Sequence, residues 1–159
     1  MKGHILVTGG TGFIGAALIR VLRVAGYKVT SVSRSRTIAN DHFTLDLANK
    51  DSVANFVRNL DSVTTVIHCA AIAHGENPPN NYSVSDFNTL ILENLLSSFG
   101  HLQPHWIFLS SVSVYGVGYE QNPVQIVVLP ETTDDYGSGK LRDEQRLLSK
   151  CDNLDILRL

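Results

Sequence analysis

The chain has 159 residues, 43% of them apolar, and carries 13 basic against 15 acidic residues for a formal net charge of −2. That length fits about one domain with a single core. The balanced charge, with no run of Lys or Arg, excludes the basic field that a polynucleotide or an anionic membrane surface selects. The opening MKGHILVTGG holds an apolar run too short for a secretory signal or a spanning helix, so the cytoplasm is the expected location. Cys69 and Cys151 fit no C-x-x-C or zinc spacing and read as reduced thiols, Cys69 in a buried strand. His101 and His105 have the spacing of a helical metal pair, but Pro104 lies between them, so no metal site is expected.

In chain order, apolar runs rich in β-branched residues occur at 4–8 (HILVT), 28–33 (KVTSVS), 42–45 (HFTL), 64–70 (TTVIHCA), 105–112 (HWIFLSSV) and 154–159 (LDILRL). They are continuous more than alternating, the pattern of strands covered on both faces. Between them apolar residues recur at helical spacing: Phe13, Ala17, Ile19, Leu22 and Val24; Val53, Phe56, Val57 and Leu60; Phe87, Leu90, Ile91, Leu95 and Leu96; Leu141, Leu147 and Leu148. This alternation predicts an α/β fold with a doubly wound parallel sheet, Rossmann-like. Two loops, 74–83 and 116–135, leave the expected carboxyl ends of the fourth and fifth strands, where open α/β sheets bind ligands. The second exceeds a routine connection, which points to function or mobility.

The first strand runs into TGGTGFIG (8–15), which contains Gly10-x-Gly12-x-x-Gly15 and also Gly9-x-x-Gly12-x-x-Gly15. Between a strand and a helix, such a turn binds a dinucleotide: glycines admit the backbone to the pyrophosphate and the helix N-terminus supplies partial positive charge. Gly9, Gly12, Phe13, Ile14 and Gly15 are therefore candidate cofactor residues. NAD-binding versions end the second strand with a carboxylate that holds the adenosine ribose. Here the stretch is TSVSRSR, with Ser33, Arg34 and Arg36 and no acid. A guanidinium there grips a 2′-phosphate, which favours NADP over NAD; the alternative is solvated arginines and an NAD site without the acidic contact. Asp46, in TLDLA, either caps the next helix or accepts a hydrogen bond from the adenine amine.

YGSGK (136–140) sets a phenol and an ammonium one helical turn apart on one face. The pair alone is explained as well by an ordinary helix-surface contact as by catalysis. A tyrosine with its ordinary pKa of roughly 10 acts as a base only where positive charge stabilises the phenolate. Ser111, at the end of the fifth strand, is placed to bind the same substrate oxygen, with Ser113 on its side and Ser110 on the opposite one.

With TGGTGFIG, LDL, VIHCAA, Asn88 within FNTLILENLL, FLSSVSVYG and YGSGK in this order, the chain resembles the extended short-chain dehydrogenase/reductase family over nearly its whole length. Within it, the resemblance is to the NAD(P)-dependent nucleotide-sugar epimerase/dehydratase group. It implies a catalytic Ser111, Tyr136 and Lys140, with Tyr136 and Lys140 also against the cofactor; Asp46 and Leu47 near the adenine; Ala70 and Ala71 lining the cofactor; and Asn88 organising the central helix beside it. Dehydratases of this group carry an Asp-Glu pair where this chain has Val112 and Ser113, and related decarboxylases carry a glutamate at the position of Ser113, so both chemistries are disfavoured. Epimerisation of a nucleoside-diphosphate sugar through a transient 4-keto sugar is the expected activity; the alternatives are an NADP-dependent keto-sugar or carbonyl reductase and, in another class, a non-catalytic dinucleotide-binding module or redox sensor. The family also implies a homodimer paired through helices near 84–100 and 138–150, and a small C-terminal substrate domain. Residues 1–159 are thus expected to be the NAD(P)-binding domain alone, without that substrate domain.

Overall fold

A computed structural model describes residues 2–39, 41–72, 77–100, 102–116 and 134–159. His101, residues 74–76 of the first long loop and residues 117–133 of the second therefore lie outside the described residues. Six strands, β1 (His4–Thr8), β2 (Lys28–Ser33), β3 (His42–Thr44), β4 (Thr65–His68), β5 (His105–Ser110) and β6 (Leu154–Arg158), form one sheet in the order β3-β2-β1-β4-β5-β6. Every pairing is parallel, as the unbroken apolar runs require. Among the described residues four α-helices connect them: α1 (Phe13–Val24), α2 (Lys50–Arg58), α3 (Val84–Phe99) and α4 (Asp135–Lys150). Among the described residues no helix is long and apolar enough to cross a membrane.

Alternation along the strands divides the interior in two. Leu6, Val66, Trp106 and Phe108 point to the face covered by α2, α3 and α4, in one core with Val53, Leu92, Leu95 and Leu147. Ile5, Val7, Val29 and Ile67 point the other way, against Ile19, Leu18 and Leu22 of α1. Each fully buried Leu or Val contributes about 1.5–3 kcal/mol of transfer free energy, so the larger core anchors the face from which the site helices rise.

Four strands stop short of their expected ends, β6 by its last residue alone, and in β4 and β5 the backbone finds another partner at the carboxyl edge. β4 gives up the ladder after His68, and the Ala70 N–H donates instead to Thr8 Oγ1 at 3.1 Å. Cys69 consequently sits just past the strand and is half-buried. β5 ends at Ser110 because Ser111 caps a 3-10 turn, Val112–Tyr115, accepting from the Ser113 N–H at 3.2 Å. β3 ends at Thr44, although Leu45 still donates to the Ser33 carbonyl.

Candidate functional site

The order β2-β1-β4 places the chain reversal of the sheet at β1 and β4, and a cleft opens there at the carboxyl edge. Gly9 has φ +68, and a Cβ on it would lie 2.8 Å from the Ala70 nitrogen, so only glycine lets the β1 exit pass the β4 exit. Gly15 is equally constrained, since its Cβ would sit 2.3 Å from the Gly9 carbonyl oxygen. Asn49, Ser83 and Asp134 cap α2, α3 and α4 with their side chains, accepting from the N–H groups of Ser52, Asp86 and Gly137. Helix α1 starts at Gly12 with no side-chain cap and no acid in its first turn. Its N–H groups thus remain available to an anion, which fits a pyrophosphate.

The cleft runs from Gly9, Thr11 and Gly12 to Ser33, Arg34 and Ser35 on one side, with Leu45, Asp46 and Leu47 beyond them. Cys69, Ala70, Ala71 and Ile72 form the opposite wall, closed behind by Phe87 and Ile91 of α3. Two buried asparagines on α3 fix these walls. Asn88 donates to the Ile72 carbonyl at 3.0 Å and accepts from its N–H at 2.8 Å, while Asn94 donates to the carbonyls of Leu47 and Ala48 at 2.9 and 3.1 Å. Asp46 is not the cap of α2; that is Asn49, and Asp46 instead accepts from the Ala48 N–H at 3.0 Å within its own turn.

The Ser-Tyr-Lys residues converge at the end of β5. Lys140 is 5% exposed; its Nζ donates to the Leu109 carbonyl at 2.8 Å and lies 4.7 Å from the Phe108 ring centroid. Tyr136 is half-buried, its ring 5.8 Å from the same Nζ. Ser111 Oγ donates to Ser113 Oγ at 3.1 Å. Gly137 brings the start of α4 onto this turn, since a Cβ there would lie 2.5 Å from the Ser113 carbonyl oxygen. Among the described residues no hydrogen bond joins Ser111 directly to Tyr136.

Burial governs the electrostatics. It pulls the Lys140 pKa down to about 8 against the opposing pull of Asp143, Cys69 and Glu144. It pushes the Cys69 thiol up to about 12, so this thiol on the cleft wall is not a thiolate nucleophile. His68, stacked on Phe108 and paired with Thr8 Oγ1 at 2.9 Å, is held down to about 3 by burial and then by Lys140, and is a neutral ring at physiological pH. The Tyr136 phenol is raised, by burial first and by the Asp134 carboxylate second. That direction is opposite to the one expected from its spacing to Lys140: burial and a neighbouring carboxylate both disfavour the phenolate, and the ammonium is bonded to the Leu109 carbonyl instead.

Of the sequence candidates, Gly9, Gly12, Ser33, Arg34, Asp46, Leu47, Ala70 and Ala71 line one cleft. Phe13 is 95% exposed and, like Ile14, brings to the start of α1 only its backbone. Arg36 is exposed and outside the lining. Asn88 acts on the cleft through Ile72. Thr11, Ser35 and Asn94 escaped sequence reading; the visible signal for Asn94 was an amide among the apolar positions of a helix, where it must find a buried partner. Among the described residues no group of three or more His, Cys, Asp or Glu could hold a metal.

Comparison with known proteins identifies the family and the fold. The model of the NAD dependent epimerase/dehydratase family matches residues 5–151. The chain is 29% identical to the UDP-glucose 4-epimerase of Vibrio cholerae, over 99% of its own length and 50% of that protein, and 30% identical to the Erwinia amylovora UDP-glucose 4-epimerase, over 90% and 47%. It spans about half the length of these curated relatives. Among solved structures, the UDP-glucose 4-epimerase of Thermus thermophilus in complex with NAD superposes with a TM-score of 0.81 at 26% identity, over 98% of this chain and 54% of that one.

Proposed function

The chain belongs to the NAD dependent epimerase/dehydratase family, and from that premise we propose that it is the dinucleotide-binding and catalytic part of a nucleoside-diphosphate-sugar 4-epimerase. The observation that carries this reading is the meeting of the Ser111 turn with Tyr136 and Lys140 at the end of β5, next to Cys69 of the cleft wall. In this reading the glycine turn and the start of α1 hold the pyrophosphate, Asp46 and Leu47 flank the adenine, and Ala70 and Ala71 lie along the dinucleotide. A bound nicotinamide supplies the site that accepts and returns a hydride.

The chain's own residues do the rest. Tyr136, a phenol held protonated by burial, exchanges a proton with the sugar oxygen once positive charge gathers beside it. Ser111 donates to the same oxygen and orients it. Lys140 supplies a buried charge one turn from the phenol, and releasing its bond to the Leu109 carbonyl lets the ammonium reach a ligand hydroxyl. Phe108 and the neutral His68 keep this corner dry, so the charge acts at low dielectric.

The missing carboxylate at 33–35 and the presence of Arg34 in the cleft favour NADP, and with it a second reading, a keto-sugar or carbonyl reductase that consumes its cofactor. Pairing of two copies through the exposed faces of α3 and α4 belongs to the same proposal. Mixing the protein with UDP-glucose or UDP-galactose and catalytic NAD or NADP tests the first reading: interconversion that disappears in Tyr136→Phe supports it. Turnover only with stoichiometric NADPH and a carbonyl substrate replaces it with the reductase, and tight dinucleotide binding without turnover of either kind points to a binding module.

A further inference from the structure

We infer that His42 sets the preference of the cleft for a phosphorylated adenosine ribose, by holding the 33–35 turn in the shape that leaves Arg34 and Ser35 as its donors. The inference rests on the dinucleotide reading above and adds to it a specificity-determining residue outside the lining of the cleft.

His42 opens the edge strand β3, in register with Ser31, and is half-buried. Both ring nitrogens are engaged. Nε2 lies 3.0 Å from the Ser35 carbonyl oxygen and 3.1 Å from Ser33 Oγ, and Nδ1 lies 2.9 Å from Ser31 Oγ. A carbonyl only accepts, so Nε2 carries the hydrogen and donates to Ser35; in the neutral ring Nδ1 then accepts from the Ser31 hydroxyl. Ser33 Oγ donates to the same Ser35 carbonyl at 2.9 Å. Two donors thus converge on one carbonyl of an otherwise exposed segment.

This arrangement decides what the ribose end of the cleft offers. The Ser33 hydroxyl hydrogen is spent within the turn, so the side-chain donors left on the lining there are the Arg34 guanidinium and the Ser35 hydroxyl. Arg34 has no hydrogen bond or ion pair among the described residues. No carboxylate stands at 33–35 to accept from a ribose diol. The 33–35 turn thus offers donors, while the nearest carboxylate of the lining, Asp46, accepts from the Ala48 N–H within its own turn, which suits a 2′-phosphate better than a free hydroxyl pair. The ring also couples two turns, because Ser31 presses on the glycine turn: a Cβ on Gly10 would be 2.8 Å from Ser31 Cβ. His42 therefore fixes the spacing between the pyrophosphate end and the ribose end.

Calorimetric titration with 2′,5′-ADP and 5′-AMP isolates the ribose end, and NADP and NAD serve as the whole-cofactor pair. The wild-type chain is expected to prefer the 2′-phosphorylated probe. His42→Phe, which keeps the ring and loses both nitrogens, is expected to lower 2′,5′-ADP affinity roughly five- to tenfold, with 5′-AMP affinity changed by less than about twofold. His42→Gln, whose amide still donates toward Ser35, is expected to regain most of that preference. If His42→Phe fails to fold, His42→Asn, too short to bond Ser35 but able to reach Ser31, carries the same expectation. Equal losses for both probes, or unchanged selectivity in a folded variant, overturn the inference by making the ring merely structural. A wild type that binds NAD and NADP equally well overturns it while leaving the dinucleotide reading intact; one that binds neither sinks that reading itself.

Discussion

Lys140 and Asp143 lie one turn apart on α4, are 5% and 2% exposed, and titrate in opposite unusual directions. Burial lowers Lys140 to about 8 from 10.5. Between those values the unfolded chain holds a proton that the folded chain has lost, so this residue makes stability rise with pH across that window; below it, the full cost of a buried ammonium is present. Lys140→Met is therefore expected to melt several degrees higher than wild type at pH 7, the gap closing toward pH 10.5, while Tyr136-dependent turnover disappears. Thermal melts at the two pH values check it. Asp143 works in the other sense: burial raises it to about 6 from 3.8, although Thr89 Oγ1 donates to it at 2.7 Å. There the folded chain holds the extra proton, so the residue makes stability fall as pH rises from about 4 to about 6. Asp143→Asn is expected to flatten that fall in a urea midpoint series, and an undiminished fall would place its origin elsewhere.

Helix α4 makes sense only when its two glycines are read with its tyrosine and lysine. Gly137 packs on the Ser113 carbonyl and Gly139 on Ser85, each with room for a Cβ only at 2.5 Å from the nearest atom. On an exposed helix, Gly→Ala gains about 1 kcal/mol. Here overpacking against backbone costs about 1–3 kcal/mol, which reverses the sign. Gly137→Ala is expected to destabilise by about 1–2 kcal/mol in chemical unfolding and to depress turnover further, by pushing Tyr136 off the Ser111 turn. Gly139→Ala should show a similar stability loss with a smaller catalytic effect, since Ser85 belongs to α3, where it is also tied to Asp135 by a 2.7 Å bond. The spacing of Tyr136 and Lys140 is visible in the sequence; the reason for the glycines between them is not, because Ser113 and Ser85 come from other elements. The strands were legible for the converse reason. A parallel strand buried on both faces is apolar throughout, so 4–8 and 28–33 announce themselves without knowledge of their neighbours. Where a strand ends on a distant side chain, as β4 does on Thr8, local pattern runs past the boundary.

At the scale of the molecule, the residues of the candidate site lie along the carboxyl edge of the sheet, and one ion pair ties together the part of that edge formed by β5, β6 and α4. Glu144, 2% exposed on α4, accepts from Arg158 of β6 through both oxygens, at 3.0 and 2.7 Å, and from the Ser110 hydroxyl of β5. The same guanidinium donates to the Tyr115 hydroxyl at 2.6 Å, on the turn that follows Ser111. The elements that carry Ser111, Tyr136 and Lys140 thus share one network around this charge pair, invisible in sequence because the four residues of the network come from a helix, a turn and two strands. A buried pair of this kind adds little net free energy over an apolar substitute, but removing one partner strands the other. Arg158→Met leaves a carboxylate in the core; because the arginine side chain is 27% exposed, the expected loss is near 3 kcal/mol, the low end of the roughly 3–5 kcal/mol range. Glu144→Gln leaves the positive charge at the better solvated member and should cost less. The double variant removes both charges and is expected to be more stable than Arg158→Met alone, a non-additivity of at least about 1 kcal/mol in urea unfolding followed by Trp106 fluorescence. Additive losses would mean that the two side chains act independently and that the carboxyl edge is held by its apolar layers alone.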